Sequence, residues 1–171
     1  FDTLHAAGEM VKIRYCLIPY LYSEFLKAAL RDDMMFKPLG FDFPADHMAK
    51  ETEDQLLIGD ELMIAPVYKQ NARGRYVYLP EEMMLVRMQT WDQIHTEILP
   101  KGHHYVDIAL EELVFFIRQQ KAIPFGRPAR NTDCIDQSAL QLLGYPGCTY
   151  ELYADNGISP EPETSLSITT L

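Results

Sequence analysis

The sequence predicts a mainly β fold, an antiparallel β-sandwich that is preceded by one long kinked helix. Two observations support this fold class. Residues 3–30 carry apolar side chains at helical spacing, whereas residues 61–155 hold short apolar runs separated by turn residues. Short runs bounded by Gly, Pro and Asn are typical of strands that are joined by tight turns. The change from one pattern to the other occurs within residues 53–67.

The opening helix is predicted to need contacts on more than one side, because its apolar residues form two stripes. The first stripe is Met10, Ile13, Leu17 and Tyr20, and the second is Val11, Tyr15, Ile18, Tyr22, Phe25 and Ala29. Pro19 removes one backbone hydrogen bond and its ring collides with the preceding turn, so a kink is predicted near residues 16–19. Apolar faces of this size rarely stay exposed, so we expect this one to fold back on the sandwich or to form a homodimer.

Short apolar runs predict the strands that follow the helix. The run at residues 62–65 is apolar on both faces and ends at Pro66, which cannot donate to a β ladder. Further strands are predicted at residues 75–79, 84–88, 104–108, 113–118, 122–125, 139–143 and 149–153. From Asn156 onward the residues are mostly Pro, Glu, Ser and Thr, a composition that is poor in core-forming side chains.

The composition indicates a globular protein and argues against binding to nucleic acid or membrane. The 171 residues are 47% hydrophobic and 23% charged, with a net charge of -10 that would repel a phosphate backbone. No stretch is long and apolar enough to span a bilayer. Cys16, Cys134 and Cys148 are an odd number without paired spacing, which favours a reducing compartment, the cytoplasm. Because residue 1 is Phe and the helical pattern is already under way, we expect an excised or partial chain.

Several motifs carry a resemblance to a known family. Residues 14–22 have the sequence Arg-Tyr-Cys-Leu-Ile-Pro-Tyr-Leu-Tyr, in which a proline lies among tyrosines inside a helix. Phe-Pro-Ala-Asp follows at residues 43–46, Asp54-Gln55 precedes the buried strand, and Arg-Tyr-Val-Tyr-Leu-Pro occupies residues 75–80. Together these motifs resemble glycoside hydrolase family 31, the retaining α-glucosidases and α-xylosidases.

The resemblance implies a division of the chain into parts of a larger enzyme. Residues 1–60 would be the last helix and the seam of a (β/α)8 catalytic barrel, which is incomplete here because such a barrel takes about 250 residues. Residues 61–155 would be the proximal C-terminal β-sandwich. Residues 156–171 would begin a distal β-domain that is missing or reduced.

The resemblance further implies that the parent enzyme hydrolyses terminal α-linked glucose or xylose residues without a metal or organic cofactor. Retaining enzymes use two carboxyl groups that stand about 5–5.5 Å apart. The motifs that hold these groups in the family do not occur here, and Trp91-Asp92, at the sole tryptophan, does not match them. We therefore assign no catalytic, cofactor-binding or metal-ligating residue. The chain alone is predicted to be inactive and to brace the barrel of a parent whose substrate is an α-linked oligosaccharide.

Two positions depart from the family pattern. Lys37 stands where the family has arginine, and lysine lacks the bidentate fork that arginine offers a carboxylate. The sequence leaves open whether an ion pair is kept there. Gln119-Gln120 replaces a glycine pair that allows a tight bend with positive φ, so a differently shaped loop is predicted.

Other candidate sites among the polar residues are weaker. Glu53-Asp54 and Asp60-Glu61 are acidic pairs, but neighbours in an extended segment point to opposite faces. We expect Asp54 to cap or tether the seam and the other three acids to be solvated. The adjacent His103-His104 lacks metal-ligand spacing, and these residues are interpreted as surface or packing histidines.

Aromatic residues suggest an alternative function. Trp91, Tyr105, Phe115 and Phe116 are candidates for a sugar-stacking platform, although aromatic residues within strands are more often core. The rival hypotheses are therefore a stand-alone carbohydrate-binding module and an interaction domain without sugar chemistry. Titration with gluco- and isomalto-oligosaccharides would identify a binding module, and a gene without a barrel upstream of Phe1 would favour the interaction domain.

Overall fold

A computed structural model describes residues 3–153 and the backbone of residues 166–169. The predicted fold class is confirmed, because one long helix precedes a series of short strands whose described pairings are all antiparallel. The helices are α1 (Thr3–Arg31), α2 (Leu39–Asp42) and α3 (His47–Glu51). The strands are β1 (Phe36–Pro38), β2 (Leu56–Ile58), β3 (Leu62–Ile64), β4 (Gly74–Leu79), β5 (Met83–Thr90), β6 (Gln93–Leu99), β7 (Gly102–Asp107), β8 (Leu113–Arg118), β9 (Ala122–Phe125), β10 (Gln141–Gly144), β11 (Thr149–Leu152) and β12 (Leu166–Thr169).

The chain forms two compact units. The sheet unit is Phe36–Gln119, and the helix unit combines the residues up to Met35 with those from Gln120 onward. The change of pattern at residues 53–67 thus falls inside the sheet unit, where β2 pairs with β3. The division of the parent enzyme at residues 60 and 155 stays a prediction.

The sheet unit consists of a six-stranded sheet in the order β1-β2-β3-β8-β5-β6 and a separate ribbon of β4 and β7. Side chains alternate between the two faces of a strand. Phe116 of β8 and Leu85 of β5 form one buried cluster with Val77 of the β4–β7 ribbon. Phe115 and Ile117 point to the opposite face and are also buried. The central strand β8 is therefore apolar from Leu113 to Ile117, because both of its faces are covered there.

Three strands of this sheet, β1, β2 and β6, were not among the predicted strands. β6 is mostly polar and exposed, and it pairs along β5 as an edge strand beyond the two-residue turn Trp91-Asp92. β2 has only three residues and lies between β1 and β3. None of the three sequences shows a long apolar run, since an edge strand needs little burial and a three-residue strand gives little pattern. Gln119-Gln120 forms a tight turn in which Gln120 adopts a φ of 57°, so the positive φ of a glycine pair is kept and the predicted change of loop shape is wrong in this respect.

The helix unit packs α1 against β9 and β11. Ile13, Cys16 and Tyr20 lie on the buried side of the helix and have no exposed surface. The helix continues through Pro19, and the Cys16 carbonyl accepts a hydrogen bond from the Gly126 N–H at 2.9 Å. The predicted helix is confirmed, while the kink near Pro19 stays a prediction.

The second stripe of α1 is the less buried one. Val11, Tyr22 and Phe25 are exposed, and Tyr15 and Ile18 are half-buried. The Tyr22 and Phe25 rings stack with centroids 6.4 Å apart. Most of the tail, for which a reduced domain was predicted, lies outside the described residues. There only the backbone of β12 is described, and it pairs with β11.

Candidate functional site

The sheet unit contains an open cavity of about 320 Å³ beside the start of β4. We call it the tyrosine pocket. Its walls are Asp54, residues 66–69 with Ala72, the segment 74–76, and Tyr105 of β7. The pocket therefore lies where the seam, the loop after β3 and the β4–β7 ribbon meet, and each of these segments contributes at least one polar side chain.

Arg75 fixes the floor of the pocket. Its guanidinium forms an ion pair with the Asp54 carboxylate and donates hydrogen bonds to the Pro66 carbonyl at 2.7 Å and the Asp54 carbonyl at 3.1 Å. The Arg75 side chain is 11% exposed, whereas that of Asp54 is 44% exposed. Asp54 is thus held in place while its carboxylate still reaches solvent, which confirms the prediction that this residue tethers the seam.

Three tyrosines surround the opening. Tyr68, Tyr76 and Tyr105 are 68%, 72% and 57% exposed. Tyr76 and Tyr105 face each other across the β4–β7 pairing, with ring centroids 5.2 Å apart and planes at 71°. Arg75 lies 5.8 Å from the centre of the Tyr68 ring, within the distance of a cation–π contact.

Gly74 allows the Tyr105 ring to lie close to β4. It has a φ of +158°, and a β-carbon at this position would meet the Val106 carbonyl and lie 2.9 Å from the Tyr105 hydroxyl. Any side chain here would therefore displace either the β7 backbone or the tyrosine. The glycine is a structural requirement of the pocket.

The favoured interpretation, that aromatic residues within strands are core, is confirmed for Phe115 and Phe116, and the alternative of a sugar-stacking platform is wrong for them. Phe115 and Phe116 are 2% and 1% exposed and belong to the two buried faces of the sheet, so they cannot contact a ligand. Trp91 lies in the turn between β5 and β6 and does not line the pocket. Tyr105 alone lines it, in the company of Tyr68 and Tyr76, which the sequence analysis did not single out.

The members of the two acidic pairs differ in their exposure and contacts. Glu53 is exposed, as expected, whereas Glu61 is only 8% exposed, so its predicted solvation is wrong. Glu61 lies in the tight turn before β3, and its carbonyl accepts the Arg118 N–H at 2.8 Å, which draws the residue into the sheet. Asp60 binds Lys37 at 2.6 Å.

Lys37 keeps an ion pair despite the departure from arginine. Its ammonium lies 2.6 Å from Asp60 and 3.1 Å from Asp42, and Asp42 also accepts from Arg118 at 2.6 Å. Burial works against the charged form of Lys37, but the hydrogen bonds to Asp60 and Asp42 outweigh it and raise the pKa. Arg118 also binds Glu81 at 2.8 Å, so cations and carboxylates alternate through this cluster. Such an arrangement stabilises a fold and offers no carboxyl group poised for proton transfer.

Asp46 is a carboxylate with a strongly lowered pKa. It caps α3 by accepting from the Met48 and Ala49 N–H groups, and it also accepts from Lys101 and from the Tyr78 hydroxyl. These hydrogen bonds, chiefly that of Lys101, lower the pKa of Asp46 to about 2. A group that is fully ionised and saturated with donors acts as a structural anchor.

The histidine pair and Cys16 lie in environments that suit a structural role. The His103 ring lies 5.0 Å from that of Tyr78, and a ring nitrogen of His104 lies 2.7 Å from the Pro100 carbonyl. Burial raises the pKa of the Cys16 thiol to about 11, which makes it a poor nucleophile. Within the described part of the chain, no three His, Cys, Asp or Glu residues are grouped so that they could hold a metal ion.

Comparison with known proteins decides the family. Residues 32–123, more than half of the chain, match the model of the glycosyl hydrolase family 31 C-terminal domain. The chain belongs to glycoside hydrolase family 31. The matched residues include the whole of the compact unit Phe36–Gln119.

This family 31 chain has similar proteins across bacteria and archaea. It is 30% identical over 152 residues to "Alpha-glucosidase 2" of Bacillus thermoamyloliquefaciens, and this match covers 86% of this chain and 18% of the relative. It is 27% identical over 158 residues to "Alpha-xylosidase" of Saccharolobus solfataricus, and this match covers 90% of this chain and 21% of the relative. The chain therefore spans about a fifth of the length of these enzymes.

A solved structure shares the fold of this family 31 chain. The dextranase of Flavobacterium johnsoniae, solved with isomaltotriose, superposes with a TM-score of 0.72 at 22% identity over 92% of this chain and 20% of its own. At this identity the comparison shows the fold alone. None of the described helices combines the length and the apolar character needed to cross a membrane.

Proposed function

We propose that this chain is the C-terminal part of a retaining α-glycosidase whose parent enzyme hydrolyses terminal α-linked glucose or xylose residues. The family match over residues 32–123 carries this proposal. An α-glucosidase and an α-xylosidase among the relatives support both sugars as substrates. Residues 1–60 would complete the catalytic barrel, residues 61–155 would be the proximal sandwich, and residues 156–171 would begin a distal domain.

The chain alone is proposed to be inactive. A retaining mechanism needs a nucleophilic carboxylate and a separate carboxyl acid, and the sequence motifs that supply them in the family are missing here. The acidic residues of the Lys37 cluster are bound to cations, and Asp46 is an anchored cap. These carboxylates support the fold, so none of them is proposed as a catalytic group.

The proposed role of this part is to brace the barrel through α1. One side of α1 packs on β9 and β11, while Val11, Tyr22 and Phe25 on the second stripe remain exposed. Large exposed apolar side chains aligned on one helix face are characteristic of an interaction surface. In the parent this stripe would contact the barrel, and in the isolated chain it would join two copies in a homodimer.

An assay on an aryl α-glucoside tests the proposed inactivity. The 171-residue chain should release no more phenol than a protein-free blank, while a family 31 α-glucosidase in parallel provides the positive control. Turnover above the blank that co-purifies with the chain would refute the proposal. The sequence encoded upstream of Phe1 provides a second test, because we expect a barrel with two catalytic carboxylates there.

Sedimentation tests the proposed homodimer. The chain should sediment as a dimer, and Phe25→Glu should give a monomer because a charge would be placed in the apolar contact. Tyr68→Glu, in the sheet unit, serves as a control for an exposed aromatic residue that lies outside α1. A monomeric wild-type chain would contradict the proposed association. The odd number of cysteines without paired spacing supports a cytoplasmic location, which microscopy of the tagged parent would test.

A stand-alone carbohydrate-binding module is the alternative function, and the tyrosine pocket favours it. Exposed tyrosines and an anchored carboxylate around one cavity suit a sugar whether or not a barrel precedes the chain. A gene without an upstream barrel, together with saturable sugar binding by the chain, would select this alternative. Lack of both a barrel and sugar binding would leave an interaction domain.

A further inference from the structure

We propose that the tyrosine pocket is a binding site for a glucosyl unit of an α-linked gluco-oligosaccharide. That the ligand is a sugar follows from the chemistry of the pocket. That the sugar is α-linked rests on the proposed function. Neither part of this inference requires the chain itself to cleave a glycosidic bond.

The aromatic side chains of the pocket indicate the class of ligand. A single exposed tyrosine is ordinary on a protein surface, but Tyr68, Tyr76 and Tyr105 are all more than half exposed around one cavity. A pyranose has one face formed largely by C–H groups, and stacking this face on an aromatic ring removes apolar surface of both partners from water. Because the Tyr76 and Tyr105 planes meet at 71°, one ring can lie under a sugar while the other closes its edge.

The polar groups complement the hydroxyl rim of a sugar. The Asp54 carboxylate is 44% exposed at its side chain and can accept hydrogen bonds from sugar hydroxyls. Lys69 lines the same cavity and can donate them. A few fixed polar groups among aromatic walls are the usual composition of a small-molecule site.

The pocket is also ordered before a ligand binds. Arg75 joins the Asp54 carboxylate and the Pro66 carbonyl, so the two sides of the pocket are fixed by one half-buried guanidinium. Pre-organised groups lose less freedom on binding, which favours affinity. Because Arg75 is paired with Asp54, its charge is already balanced, and Arg75 itself adds little attraction for a phosphate.

The size of the pocket agrees with a short ligand. Its volume of about 320 Å³ is at the lower end of the range, about 300–1,000 Å³, found for ligand sites. One glucosyl unit would contact the tyrosines, and the rest of the oligosaccharide would extend into solvent through the open side. We therefore expect weak binding, with a Kd on the order of 1–10 mM.

Titration of the 171-residue chain tests the proposal. Isomaltotriose, maltotriose and the β-linked cellotriose would each be added to about 50 mM, well above the expected Kd, with calorimetry and NMR of the tyrosine ring protons as readouts. An α-linked sugar should saturate, and the shifts should be confined to Tyr68, Tyr76 and Tyr105. The NMR readout uses the wild-type chain, so it stands even where a variant fails to fold.

Matched variants identify the site. Tyr76→Ala should raise the Kd about tenfold, because it removes one stacking surface, whereas Tyr76→Phe keeps the ring and should stay within about threefold of wild type. Phe41→Ala is the control, since Phe41 is 62% exposed in the same unit and does not line the pocket. Equal loss of affinity in Tyr76→Ala and Phe41→Ala would overturn the proposed site.

The outcomes separate this inference from the proposed function. If none of the three sugars shows saturable binding, the proposed sugar site is overturned, while the α-glycosidase assignment is left intact. Saturation by cellotriose in preference to both α-linked sugars would overturn the α-linked ligand and would also count against the proposed substrate class. Saturation by an α-linked sugar that Tyr76→Ala weakens would support both.

Discussion

Gln55 is predicted to hold the seam to the β4–β7 ribbon through one side chain. It is 5% exposed, and its amide both donates to the Tyr78 carbonyl and accepts from the Tyr78 N–H, each at 2.7 Å. Because Tyr78 lies on β4, the side-chain amide takes the place that a neighbouring strand would occupy. Removing this amide should therefore act on the whole sheet unit.

The cost of Gln55→Ala follows from the two backbone groups that lose their partner. A buried donor or acceptor that is left unpaired costs about 1–3 kcal/mol, so the two Tyr78 groups together give about 2–6 kcal/mol. Urea unfolding monitored by fluorescence of Trp91, the sole tryptophan, reports on this unit. With a slope of about 1–3 kcal/mol per molar urea, the midpoint should fall by about 1 M or more.

Gln55→Glu adds a test in which the stability of the variant depends on pH. The carboxylate could accept from the Tyr78 N–H but would oppose the Tyr78 carbonyl, so burial and this carbonyl should raise its pKa in the folded state. Stability should then be highest below the unfolded pKa of about 4.3 and should be lost as pH rises through the folded value.

Gln70→Glu, at an exposed position, is the matched control and should show no such loss with rising pH. A cost below about 1 kcal/mol for Gln55→Ala would refute the reasoning, because two unpaired buried groups cannot cost so little. A pH-independent Gln55→Glu would refute it as well.

Three further predictions concern the rest of the chain. The hydrogen bond from Lys101 is the chief cause that lowers the pKa of Asp46 from 3.8 to about 2. The stability that the ionised Asp46 adds is therefore lost as pH falls through that window. Asp46→Asn should flatten this part of an acid unfolding curve measured by circular dichroism. Gly74→Ala would force a methyl group against the β7 backbone and should lower the free energy of unfolding by about 1–3 kcal/mol in a urea titration. A thiol reagent should label the exposed Cys134 in the folded chain and Cys16 only on unfolding, and equal labelling rates would contradict the burial of Cys16.

Local patterns were sufficient to predict most elements of the fold. The spacing of apolar residues marked α1 correctly, and apolar runs located β4, β5, β7, β8 and β9. The order of the strands could not be predicted, because β8 pairs with both β3 and β5, which are far from it in sequence. Division into two units between β8 and β9 also depends on such distant pairings, although only a few residues separate these strands.

The candidate site was only partly accessible from the sequence. Val77 is buried, so the alternation of side chains along β4 places Tyr76 on the outer face. Val106 is buried as well, so the same alternation along β7 places Tyr105 on the outer face. What the sequence did not contain was the register that sets Tyr76 opposite Tyr105. Tyr68 lies in the loop after β3, where no periodicity exists to assign its direction. Phe115 and Phe116 gave the stronger aromatic signal and proved to be core.

The pocket and the core of the sheet unit depend on the same register. If β4 slipped by one residue against β7, Val77 would move to the outer face and Tyr76 to the inner one, which the buried cluster excludes. A ligand that recognises Tyr76 beside Tyr105 therefore binds only the folded unit. A sugar at ten times its Kd should accordingly stabilise the unit by about 1.4 kcal/mol. The same tyrosines that add little to the core when the pocket is empty would contribute to stability once it is filled.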